Sequence, residues 1–276
     1  MTARNIVNII QSQETSDGAG VRLKRSLGTP LLEYLDPFLM LDEFGSEEGA
    51  DYIGGFPDHP HRGFETVTLM LDGLMRHKDN KGNAGLLKSG SVQWMTAGRG
   101  IVHSEMPEQT EGLMRGFQLW VNLPAKDKMT EPRYQNIEPE DIPELTIEEG
   151  VTVRVVAGEV NGVEGAVNKI AAKPIYLVIS LEPDCEFSHK IPENHNGFVY
   201  PYEGNFTVEG TFVYKSSLGV LGQGTEITIK SGDQGTKLIL VAGSPFNEPV
   251  ARHGPFVMNT REEIMQAFDD YKNGKF

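Results

Sequence analysis

Leu87-Lys-Ser-Gly-Ser-Val-Gln-Trp-Met-Thr96 and Leu221-Gly-Gln-Gly-Thr-Glu-Ile-Thr-Ile-Lys230 align without a gap. Each is a glycine turn that opens an alternating segment, the period-two pattern of a half-buried strand. Upstream of each stands an acidic-Gly pair after an apolar run, Asp72-Gly73 and Glu203-Gly204. Two matched turn-strand units favour a duplicated small barrel over one large sandwich. The rest of the chain agrees. Thirty-one Gly and 16 Pro in a sequence that is not low-complexity imply many turns. Strands are expected at Thr66 to Leu71, Ser91 to Met95, Phe117 to Val121, Thr152 to Val156, Tyr176 to Leu181, Glu226 to Ile229 and Lys237 to Val241. Asp72-Gly73 between two apolar runs reads as a hairpin turn, because these residues tolerate positive φ. Only the C-terminus reads as helix: Thr260 and Glu263 form a capping box, Ile264, Ala267, Phe268 and Tyr271 share one face, and Gly274 can end it.

A polar, proline-marked stretch from Glu131 to Gly150 separates the halves and reads as a linker. The expected domains are residues 1–135 and 136–276. No run approaches the roughly 18 apolar residues of a membrane span, and no signal peptide is read at MTARNIVNII. The single Cys185 excludes an intrachain disulfide and fits a reducing cytoplasm, as a buried small hydrophobe without a resolving partner. A net charge of −14 weighs against direct nucleic-acid binding, which needs a basic surface. A monomer is expected.

His59 and His61 are spaced i, i+2, so on an extended chain both imidazoles face one way. His103 and Glu105 repeat that spacing after Thr-Ala-Gly-Arg-Gly. On neighbouring strands of one barrel, four donor atoms would converge. Three imidazoles and one carboxylate suit iron(II), with manganese, nickel, cobalt, copper and zinc open on ligand type. Such a set leaves two positions of an octahedron for oxygen or substrate. A lone HxH is more often a pair of surface or packing histidines; the second pair, of matching chemistry in the same half, shifts the balance. His77, His189, His195 and His253 show no comparable pairing and read as surface or satisfied core groups. Glu65 follows His61 by four residues and has three readings: a partner holding a histidine tautomer, a ligand, or a surface charge beside Arg62, ranked in that order.

At these residues the chain resembles the pirin family of the cupin superfamily. The similarity lies in Phe38-Leu-Met-Leu-Asp-Glu-Phe44, Phe56-Pro-Asp-His-Pro-His-Arg-Gly-Phe-Glu65, Ala97-Gly-Arg-Gly-Ile-Val-His-Ser-Glu-Met-Pro107, Leu119-Trp-Val-Asn-Leu-Pro124 and His253-Gly-Pro-Phe-Val-Met-Asn-Thr260. The resemblance implies an all-β bicupin, two stacked double-stranded β-helix barrels with a short C-terminal helix and one metal in the N-terminal barrel. In the general cupin pattern the glutamate after HxH is a ligand, at the place of Glu65; in pirins the carboxylate comes from the second motif, matching Glu105. The usual proline-x-glycine of that motif is replaced by Gly98-Arg99-Gly100, read as letting the backbone pass close to the pocket. Aligning the halves puts Lys190 and Pro192 at the places of His59 and His61, and Lys237 and Ile239 at those of His103 and Glu105, so the second barrel reads as metal-free.

Two functions of different class follow. The resemblance implies a quercetin 2,3-dioxygenase: the metal binds a flavonol 3-hydroxyl, Glu105 accepts its proton as general base, O2 adds, and ring opening releases carbon monoxide. Phe56, Phe64, Trp94, Met95, Met106 and Phe117 are candidates for an apolar pocket, against ordinary barrel packing. The alternative is an iron-dependent redox-sensing regulator, a transcriptional co-regulator or modulator of a metabolic enzyme, acting on a protein partner for which an acidic surface is suited.

Overall fold

A computed structural model describes residues 2–276. The chain divides into two compact units. One comprises Glu14–Arg25, Phe38–Pro139 and Phe246–Phe276; the other comprises the residues up to Gln13, Ser26–Pro37 and Glu140–Pro245. Strands dominate, and among the described residues the one α-helix is Arg261–Lys272. Thr260 accepts from the Glu263 amide while the Glu263 carboxylate accepts from the Thr260 amide, so the capping box forms as read. Among the described residues no helix is long and apolar enough to cross a membrane.

In the unit that holds the histidine motifs, seven strands form a sheet in the order Arg133–Ile137, Val92–Thr96, Phe64–Asp72, Met114–Asn122, Phe38–Ser46, Val21–Leu27, Gln13–Asp17. A four-stranded sheet runs Phe56–His61, Ile101–Pro107, Met75–Asp79, Ala84–Leu87. Phe64–Asp72 pairs with strands of the first sheet and Met75–Asp79 with strands of the second. The Asp72-Gly73 turn, with Gly73 at φ +94, therefore carries the chain from sheet to sheet and closes no hairpin, unlike the expectation. A glycine turn marks a change of direction but not the partner of the next strand, which is chosen by non-local pairing.

Cross-strand register sorts the side chains of the larger sheet. Asp42 opposes Gln118, Gln118 opposes Thr68 and Thr68 opposes Gln93. One residue along, Leu41, Leu119, Val67 and Trp94 form the row that points the other way, all buried. The polar row faces the four-stranded sheet, where Thr68 and Gln118 reach Glu105.

The other unit is a nine-stranded sheet whose two longest strands, Asn196–Val208 and Glu226–Gly243, pair with register shifts at Pro201/Glu203 and Gly204/Phe206. Glu203-Gly204 lies inside such a strand, at an irregularity that bends it. Its interior is aliphatic: Val151, Val153, Val155, Leu177, Ile179, Ile227, Ile229, Leu238 and Leu240 form one cluster. Cys185 is half-buried against it. Arg4, 1% exposed, fills its five donors with carbonyls of Gly224, His195, Gly222, Pro192 and Glu193 at 2.7–3.3 Å.

The units do not follow a single cut near residue 135. The stretch Glu131 to Gly150 holds two strands, Arg133–Ile137 and Glu144–Glu148, and the division falls between Pro139 and Glu140. Ile6–Gln11 pairs with Ser217–Leu221, covering an edge of the nine-stranded sheet. Residues Phe246–Phe276, helix included, belong to the unit of the histidine motifs, where the Val257 amide donates to the Arg62 carbonyl at 3.0 Å. Composition alone does not reveal such exchange, because terminal segments dock wherever an edge or apolar face needs covering.

Candidate metal centre

Phe56–His61 is an edge strand, as its two prolines require, since Pro57 and Pro60 cannot donate to a ladder on both sides. It pairs antiparallel with Ile101–Pro107 so that His59 opposes His103 and His61 opposes Ile101. The i, i+2 spacing then brings the three imidazoles together. Ring centroids lie 4.7 Å apart for His59–His61, 4.4 Å for His59–His103 and 5.0 Å for His61–His103, and one ring nitrogen from each falls within 4.8 Å of the others. This is the cluster of metal-ligating type found among the described residues.

The donors suit a cation. His59 Nδ1 lies 2.8 Å from the Pro57 carbonyl, which only accepts, so Nδ1 carries the hydrogen and Nε2 keeps its lone pair. His61 and His103, 3% and 1% exposed, have pKa values well below the ordinary histidine value. Burial is the main cause, followed by neighbouring imidazoles: His59 for His61, and His61, His59 and His77 for His103. They are neutral at pH 7, the form that ligates. Neither ring nitrogen of His103 has a hydrogen-bond partner, nor has His61 Nδ1. Buried polar atoms are normally satisfied, and a single divalent metal taking one nitrogen from each of the three rings fits this donor set.

Glu105, two residues beyond His103, is buried beside the trio but outside its 4.8 Å group. The Thr68 hydroxyl donates to Oε1 at 3.0 Å, and Gln118 Nε2 donates to Oε2 at 3.4 Å. Burial raises the carboxyl's pKa, against the opposing pull of His59, Thr68 and Gln118. A cavity of about 400 Å³ opens on His59, His61 and Glu105. Leu23, Met40, Phe44, Phe56 and Trp120 form apolar walls; Arg25, Asp42, Gln118 and Arg252 form the polar part. Arg25 grips Asp42 with two bonds of 2.7 Å, and the Arg252 guanidinium lies 4.7 Å from the Trp120 ring centre.

Glu65 does not join the site. The turn at Gly63, φ +87, ends the alternation begun at His59, and Glu65 faces oppositely to Thr66 and Thr68. Its Oε1 accepts from Thr96 at 2.6 Å, and burial raises its pKa. Of the six apolar candidates only Phe56 lines the cavity. Trp94 and Phe117 point to the other face of their sheet, while Phe64 packs on His61 and Trp120. Gly98 and Gly100 are required by neighbours other than the pocket: a Cβ would meet the Thr130 carbonyl at 2.1 Å and the Phe276 ring at 2.8 Å.

Sequence reading missed Thr68, Gln118, Trp120, Arg252 and His77. His77 opposes Glu105 across the strand pair, is 1% exposed, and stacks on Tyr134 at 5.7 Å. Its signal was the alternation of Met75 and His77 with the charged Arg76 and Lys78; the others are single polar or aromatic residues placed only by tertiary pairing.

The chain matches the pirin family over residues 20–121 and the pirin C-terminal cupin domain over residues 176–276. It is 50% identical to the pirin-like protein of Caulobacter vibrioides, with 100% of each chain covered. A solved quercetin 2,3-dioxygenase from Acinetobacter baumannii has TM-score 0.91 at 35% identity, covering 99% of this chain and 98% of that one. A bacterial pirin from Escherichia coli, solved in complex with nickel(II), shares the fold at TM-score 0.66 and 20% identity, covering 86% and 98%.

Proposed function

The chain belongs to the pirin family, with two cupin domains and a short C-terminal helix, and on that premise we propose that it is a metal-dependent dioxygenase that cleaves flavonols of the quercetin type. The observation that carries this is three clustered imidazoles and a buried carboxylate beside one apolar-walled cavity. The likeness to the Acinetobacter baumannii quercetin 2,3-dioxygenase adds to it.

His59, His61 and His103 would hold the metal, with Glu105 as fourth ligand and iron(II) as the native ion. When bound, the metal supplies a Lewis-acidic, redox-active centre at which a phenolate and O2 can meet. Met40, Phe44, Phe56 and Trp120 enclose a flat ring and exclude water. The Glu105 carboxylate would accept the 3-hydroxyl proton as general base. Thr68 and Gln118 hold its two oxygens in place. Ring opening with O2 releases carbon monoxide.

The test is purified, metal-loaded protein in air with quercetin, followed by absorbance loss and carbon monoxide release. Turnover that disappears in His103→Ala and Glu105→Ala is expected. Full metal occupancy without turnover would overturn the dioxygenase reading while leaving the metal centre standing. The −14 net charge favours a second reading, regulation through a basic protein partner, tested by pull-down with oxidised and reduced protein; empty and identical partner sets would sink it.

A further inference from the structure

The strands that carry the three imidazoles are backed by residues far along the chain, all in one compact unit. Arg62, the neighbour of His61, is 3% exposed; its Nη1 donates to Asp270 at 2.9 Å and its Nε to the Arg99 carbonyl. Its guanidinium carbon lies 4.4 Å from the centre of the Phe276 ring. The same ring occupies the space that Gly100 leaves open at the start of the His103 strand. Gly100 adopts φ +141, where other residues are strained. The Phe276 carbonyl accepts from Asn80 Nδ2 at 3.1 Å. Asn80 in turn bonds Val102 twice, its amide donating to the Val102 carbonyl at 2.9 Å and its Oδ1 accepting from the Val102 amide at 3.2 Å. Phe276 thus reaches the His61 strand through Arg62 and the His103 strand through Gly100 and Asn80.

Plain covering of apolar surface would explain the burial of the ring against Phe256 and Tyr271 at 5.6 and 5.5 Å. It does not explain why the contacts converge on the sequence neighbours of two histidines. The need is physical: the His59–His61 strand is an edge strand with two prolines, so its ladder is short of bonds and holds its spacing poorly by itself. Ligand geometry tolerates errors of only about half an ångström.

We infer that Phe276 is a positioning residue of the metal centre, clamping the turn after His61 and the approach to His103 at the separation the imidazoles need. This rests on the reading of His59, His61 and His103 as ligands. The test is titration of the full chain with cobalt(II), read by its visible d–d absorption, for wild type, Phe276→Ala and Ile264→Ala. Ile264 lies in the same apolar cluster and controls for loosened packing. Phe276→Ala is expected to weaken cobalt binding about 10-fold or more and to alter the band, while Ile264→Ala leaves both as in wild type. Phe276→Leu, which keeps apolar bulk, is expected to lie between, and replaces the alanine variant if that chain does not fold. Cobalt affinity and spectrum unchanged in the Phe276 variants would overturn the inference, and so would an equal loss in Ile264→Ala. A wild type that binds no cobalt would remove the ligand reading itself.

Discussion

Thr68 has one hydroxyl hydrogen and two acceptors, Gln118 Oε1 at 2.7 Å and Glu105 Oε1 at 3.0 Å. Gln118 returns to the other Glu105 oxygen, so two side chains of one sheet hold a carboxylate of the other. Gln118→Leu, close in volume but without the amide, is expected to keep metal content near wild type. It should lower quercetin kcat/KM about 10-fold or more, as elemental analysis and steady-state kinetics on one preparation would show. Lys128 is a second buried polar residue, its ammonium donating to Gly63, Asn122 and Val257 oxygens at 2.8, 2.7 and 3.1 Å. Burial pushes its pKa down to about 8. Between pH 8 and the ordinary lysine value of 10.5 the unfolded chain therefore binds this proton more tightly than the folded one. Stability relative to Lys128→Met should rise across that window, by about 3 kcal/mol at most. Urea denaturation of both proteins at pH 7.5 and 10.5 checks the sign; a flat difference would refute the depressed pKa. Neither residue was legible beforehand, because Thr68 acquires its meaning from what the register places opposite it, and Lys128, in a turn, from carbonyls and an amide oxygen supplied by other segments.

The two ligand strands were legible at the level of elements. HxH and HxE spacing, together with prolines that demand an edge, already imply paired extended segments whose histidines share a face. What stayed hidden was the turn between them and the next strand. Gly63 sits at φ +87 with its would-be Cβ only 2.0 Å from the Val257 carbonyl, so alanine there must displace backbone. Gly63→Ala is expected to cost ~2 kcal/mol or more and to lower metal retention, measured by thermal unfolding and elemental analysis. That same turn reverses the facing of Glu65, which is why i+4 counting from His61 misplaced it. In the other unit, Arg4 ties the amino-terminal segment to the turns at Pro192–His195 and Gly222–Gly224 through carbonyls alone. Arg4→Met should destabilise by about 3 kcal/mol or more, since it leaves buried carbonyls without donors; denaturation of the variant with unchanged cobalt binding would place the effect in that unit.

For the whole molecule, a metal that binds only the folded centre should raise the melting temperature with its concentration, by about 2.7 kcal/mol of stability at 100 times the dissociation constant. Hydrogen exchange should slow in Phe56–His61 and Ile101–Pro107 and stay unchanged in Val151–Ala157 and Ile175–Leu181, whose interior is aliphatic. Equal slowing in both units, or a shift that persists in His103→Ala, would refute a single centre at these residues. The sequence by itself determined the all-β character, the capped terminal helix and the histidine pairs, because each is written in neighbours fewer than five residues apart and follows from backbone geometry alone. Tertiary structure alone decided that Trp120 rather than Trp94 lines the cavity, that Glu65 faces away, and that Phe246–Phe276 joins the unit of the histidines. The physical reason is the same in all three: which way a strand faces, and which edge a terminal segment covers, is set by pairing with residues distant in sequence, and a shift of one residue reverses every side chain on the strand.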